Sequence, residues 1–105
     1  MLRRTLHAIT ITLALCAAAA AQAQTDPQVH AHSLAATCAG CHGTAGASSA
    51  GMPRLAGMPR DQLKRALQEF KSGARPGSVM PQLAKGYTDA QIEAISAWFE
   101  AQSAR

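Results

Sequence analysis

Cys38, Cys41 and His42 are the residues of this chain best spaced to do chemistry together: two thiols two residues apart, with an imidazole directly after the second. Two thiols at that spacing can each add to one vinyl group along the same edge of a haem. The adjacent histidine then falls beneath the iron and offers a neutral imidazole. Cys38-x-x-Cys41-His42 therefore reads as an attachment site for one c-type haem, with His42 as proximal ligand. Other chemistries use part of this pattern. A thioredoxin-like dithiol needs a βαβ setting, which the chain does not suggest. A zinc site needs two further ligands, for which only His30 and His32 offer themselves. A disulfide across the short loop is the purely structural alternative.

A second ligand is sought among the methionines. Met80 precedes Pro81, which biases it toward an extended conformation, and an extended loop residue can point its thioether at a haem face. A thioether opposite an imidazole raises the reduction potential and leaves no position open to oxygen or substrate. The expected activity is outer-sphere transfer of single electrons, with no catalytic residue. Met52 and Met58 are rivals, each before a proline, and packing is the role expected of them. His30 and His32 are expected to be surface residues.

Residues 1–23 carry a different signal. Met1-Leu2-Arg3-Arg4 is basic, Ala8 to Ala21 is uncharged and apolar, and Ala21-Gln22-Ala23 is a small-x-small cleavage pattern. A cleaved signal peptide is expected at 1–23, followed by one domain at 24–105 in the periplasm. The apolar run is short for a bilayer-spanning helix, so no stable membrane insertion is expected after cleavage. Export favours haem or a disulfide over zinc or a cytosolic redox pair. Cleavage removes Arg3, Arg4 and Cys16, and the net charge falls from +4 to +2. So mild a charge, with only Phe70, Tyr87, Trp98 and Phe99 as aromatics, argues against nucleic-acid binding. A domain this small, with few large hydrophobes, calls for a bound group to complete its interior.

The elements that must position these residues are helical. Asp26-Pro27 opens a first helix reaching to about Thr37. Residues 43–59 read as a loop. Asp61 opens a second helix with Leu63, Ala66, Leu67 and Phe70 on one face, closed by Gly73. Residues 74–86 are expected to be irregular. Thr88 and Gln91 form a capping box for a last helix that buries Ile92, Ile95 and Phe99, with Trp98 at the border. The fold class expected is all-α, with three to four short helices and long loops. Loops of such length need a task, and wrapping a flat cofactor is one.

Cys38-Ala39-Gly40-Cys41-His42-Gly43, Pro53-Arg54-Leu55-Ala56-Gly57 and Pro76-Gly77-Ser78-Val79-Met80 together resemble the class I c-type cytochromes over nearly all of 24–105. The resemblance implies that the Pro53 carbonyl accepts a hydrogen bond from the His42 ring, that Met80 is the axial ligand, and that Ser78 lies near a haem propionate. It also implies crossed first and last helices, with Leu34 against Ile95 and Trp98 or Phe99. Phe70-Lys71-Ser72-Gly73-Ala74-Arg75-Pro76 and Ala84-Lys85-Gly86-Tyr87-Thr88-Asp89 resemble, more narrowly, the haem subunit of flavocytochrome c sulfide dehydrogenase and the cytochrome c-553 group. That likeness implies a flavoprotein sulfide dehydrogenase as redox partner. A free-standing carrier to a terminal oxidase or reductase is the alternative. Arg54, Arg60, Lys64, Arg65, Lys71 and Lys85 are candidates for steering a partner, against a solvated surface as the plainer reading.

Overall fold

The computed structural model describes residues 26–102, and the expected signal peptide at 1–23 lies outside them. By its contacts the chain divides at His30: residues from Ala31 onward form one compact unit, and Asp26–His30 are the described part of the other. Among the described residues the structure is helical, without a strand. The helices are α1 (Pro27–Ala36), α2 (Ala39–His42), α3 (Arg60–Ser72), α4 (Met80–Ala84) and α5 (Asp89–Glu100), with a 3-10 turn at Thr44–Gly46. None is long and apolar enough to cross a membrane.

The helix ends follow from their side chains. Asp26 Oδ1 accepts the Gln28 N–H at 2.8 Å, capping α1 before Pro27. Gly73 closes α3 in the left-handed conformation at φ 85°. Thr88 Oγ1 accepts from the Gln91 N–H at 3.2 Å while Gln91 Oε1 accepts from the Thr88 N–H at 2.9 Å, completing the capping box of α5.

The core gathers Leu63 and Leu67 of α3, Ile92, Ile95 and Phe99 of α5, Leu55 of the loop and Ala35 of α1. The α3 face is legible from its period, although Ala66 and Phe70 remain half-exposed. On α1 the fully buried residue is Ala35, while the Leu34 side chain is half-buried against the cluster. The first helix meets the last through a ring contact as well, His32 to Trp98 at 5.5 Å between centroids.

Residues 43–59 form an ordered connection rather than a slack loop. The Gly46 carbonyl accepts from the N–H groups of Leu55 (2.9 Å) and Ala56 (3.0 Å), and the Gly57 N–H donates to the Phe99 carbonyl at 2.9 Å. Gly46 is required there: its φ is 74°, and a Cβ would stand 2.7 Å from the Phe99 ring. Ala45, Ser48 and Ala50 also take left-handed backbone, at a cost of about 1 kcal/mol or more each.

The segment 74–86, expected to be irregular, contains α4. Met80 is its first residue rather than an extended loop residue. The bias that Pro81 imposes is outweighed because Pro81 falls in the first turn, where its missing N–H has no intrahelical acceptor to lose. Helical bonding starts from the Val79 carbonyl, which accepts from Gln82 (3.0 Å) and Leu83 (3.1 Å).

Candidate functional site

Cys38, Cys41 and His42 stand at positions i, i+3 and i+4 around the one turn of α2, so their side chains share a face. That face lines a cavity of about 630 Å³. Met80 lines it too, with Pro53, Met52 and Met58 from the loop and Leu63, Ala66, Leu67 and Phe70 from α3. The walls are almost wholly apolar. Close-packed interiors have few voids larger than a water molecule. A cavity of this size, within the range of cofactor sites, fits a large flat apolar group. The half-exposed Ala66 and Phe70 face this space, which explains why the apolar stripe of α3 is wider than its protein contacts.

His42 is buried at 7 % exposure, and its Nδ1 lies 2.7 Å from the Pro53 carbonyl oxygen. A carbonyl only accepts, so the proton sits on Nδ1 and the Nε2 lone pair is the one left for a metal ion. Cys38 is half-buried, Cys41 is exposed, and both thiols are free. Burial pushes the Cys38 thiol above its ordinary range, opposed more weakly by the Thr37 side chain. The arrangement offers two thiols for covalent attachment, one imidazole for iron, and three thioethers at the walls.

Ser78 is exposed and is not among the residues lining the cavity. The chain reaches the cavity on either side of it instead, through Arg75 and Val79. Arg75 is held by Glu69 at 2.8 Å and lies 5.3 Å over the Phe70 ring. Thr37 and Tyr87 also line the cavity, with their hydroxyl oxygens 2.7 Å apart, and neither belongs to a motif of the sequence that points there. A sole tyrosine at the border of two elements was the one available signal for that pair.

The cations named for steering are largely engaged within the molecule. Glu93 pairs with both Arg60 and Lys64, and Asp89 with Lys71 at 3.1 Å. Arg54 donates to the carbonyls of Ala47 and Ala56 at 3.3 Å. Such pairing weakens any field directed at a partner.

Residues 30–103 match the family described as cytochrome c. A cytochrome subunit of sulfide dehydrogenase from Chlorobaculum tepidum is 44% identical over 66 residues, covering 63% of this chain and 60% of that protein. A thiosulfate dehydrogenase electron acceptor from Stutzerimonas stutzeri is 38% identical over 76 residues, covering 70% of this chain and 35% of that protein. A cytochrome c-553 from Desulfomicrobium norvegicum is 32% identical over 69 residues, 63% of this chain and 86% of that protein. The chain thus spans less than two thirds of the length of the first two relatives.

Proposed function

This chain belongs to the cytochrome c family and is an electron-transfer haem protein with one covalently bound haem c, and from that premise we propose that it works in the periplasm as the electron acceptor of a dehydrogenase that oxidises a reduced sulfur compound. The cofactor is held, on this reading, by thioether bonds to Cys38 and Cys41, with His42 and Met80 as the iron ligands. The observation that carries it is His42: a buried imidazole with Nδ1 committed to the Pro53 carbonyl at 2.7 Å, on the same helical face as the two thiols. When bound, the haem supplies an iron that takes up one electron and releases one.

The rest of the work falls to the chain. Pro53 fixes the tautomer and orientation of the His42 ring. Met80, at the cavity wall, would supply a soft thioether as second ligand to the bound group and so raise its reduction potential. The apolar walls formed by Leu63, Leu67 and Phe70 would exclude water from the bound group. Export follows from the signal peptide expected at 1–23, with the mature chain at 24–105, outside the membrane. A propionate role for Ser78 would require a group reaching beyond the cavity's lining residues to its exposed hydroxyl.

The sulfide dehydrogenase subunit and the thiosulfate dehydrogenase acceptor support a sulfur-oxidising donor, and the likeness of Phe70–Pro76 and Ala84–Asp89 to flavocytochrome c sulfide dehydrogenase makes a flavoprotein the specific partner of this reading. The cytochrome c-553, of whose length the chain covers 86%, favours a second reading, a free-standing carrier to a terminal oxidase or reductase. The optical spectrum of protein purified gently from its native periplasm separates the two. Haem and flavin bands that copurify, with haem reduction on addition of sulfide, are expected of the docked subunit. Haem alone supports the free carrier, and haem that neither sulfide nor thiosulfate reduces in the presence of its dehydrogenase contradicts the sulfur-linked role.

A further inference from the structure

The cavity walls that carry the two proposed iron ligands come from separate parts of the chain. His42 belongs to α2, whereas Met80 opens α4, whose main packing partner is α3. At one edge these walls are joined directly, by the Tyr87 hydroxyl and Thr37 Oγ1 at 2.7 Å.

The direction of this bond is fixed. Thr37 Oγ1 is 2.8 Å from the Leu34 carbonyl oxygen, to which it donates. A hydroxyl has one hydrogen, so Tyr87 must be the donor to Thr37. Thr37 immediately precedes Cys38, and its Oγ1 is 4.0 Å from the Cys38 sulfur. The backbone of Tyr87 is anchored as well: its carbonyl accepts from Lys71 Nζ at 2.8 Å, and the same ammonium pairs with Asp89 at 3.1 Å. Tyr87 therefore ties α3 and the start of α5 to the turn before Cys38. It also lies three residues past α4, on the segment that carries Met80. Both Tyr87 and Thr37 line the cavity. A phenylalanine would fill the same space but could not make the bond to Thr37.

We infer that Tyr87, through its hydrogen bond to Thr37, is a positioning residue that holds the Met80 wall at a set distance from the Cys38–His42 wall and so keeps the Met80 sulfur at its ligand position. This role rests on the reading of Met80 as the second iron ligand. Losing one hydrogen bond of ordinary strength shifts an equilibrium by roughly two- to tenfold, which sets the size of the effect.

The test is imidazole binding to the oxidised holoprotein, since added imidazole competes for the position Met80 holds. Tyr87→Phe and Thr37→Val are each expected to bind imidazole roughly two- to tenfold more tightly than the unaltered protein. The double variant is expected to gain no more than the stronger single one, because both remove the same bond. Thr37→Ser, which keeps the hydroxyl, is expected to behave as the unaltered protein, and the reduction potential is expected to fall only in the variants that gain affinity. Unchanged binding in Tyr87→Phe and Thr37→Val, or additive gains in the double variant, would overturn the positioning role, provided Met80→Ala binds imidazole tightly. Unchanged binding in Met80→Ala itself would overturn the ligand reading first, and the role of Tyr87 with it.

Discussion

Helices α3 and α5 keep Leu63, Leu67, Ile95 and Phe99 buried in a shared core although these residues also line the cavity, whereas the short helices α2 and α4 and the segments beside them leave several apolar residues half-exposed at its wall. In the first region Leu63 is 4 % exposed, Ile92 0 % and Phe99 1 %. In the second, Val79 is 58 % exposed, Leu83 50 % and Met52 37 %, and all three line the cavity. The difference shows which part of the fold the polypeptide completes by itself and which part is shaped for the haem. Where side chains supply the core, helices run for three turns, α3 closed by Gly73 and α5 opened by the Thr88–Gln91 capping box. Where the cofactor is the core, single turns suffice, and the connection 43–59 that follows α2 carries three non-glycine residues in left-handed backbone.

The comparison can be broken most severely by removing the attachment chemistry. Cys38→Ala with Cys41→Ala should abolish covalent haem, and native-state amide exchange should then show protection lost around residues 38–58 and 75–87 but retained in α3 and α5. Equal loss in both regions would show that the α3–α5 pair does not stand alone. Next in size is Phe99→Ala, since Phe99 belongs to the core and to the cavity wall at once. It should cost about 3–5 kcal/mol in denaturant unfolding of the holoprotein. Thr88→Ala touches only the better-packed region and should cost about 1 kcal/mol, read in the same titration.

Much of this contrast is legible in the residues alone, and unevenly so. The α3 and α5 faces follow from Leu63, Leu67, Ile92, Ile95 and Phe99 at helical spacing, and their ends from Gly73 and the Thr88–Gln91 pair, because caps and periodicity are local. The Cys38–Cys41–His42 face is legible for the same reason: one helical turn brings i, i+3 and i+4 together. Met80 shows where local reasoning fails. The conformational bias of a residue before proline yields to a helix start when the proline falls in its first turn. Ser78, Arg75 and Tyr87 show a second limit, since which polar residue reaches a cavity edge depends on contacts across the chain, such as the 50-residue separation between Thr37 and Tyr87. The buried seat of α1 fell to Ala35 rather than to Leu34 through the same non-local fit.

The central claim, that Cys38 and Cys41 hold a single haem against His42 in the exported chain, is tested most directly by mass spectrometry of the protein purified from its periplasm. The intact mass should equal residues 24–105 plus one haem, and after trypsin the peptide ending at Arg54 should carry that haem on both cysteines. A peptide with two unmodified thiols, or an intact chain without added mass, would contradict the account.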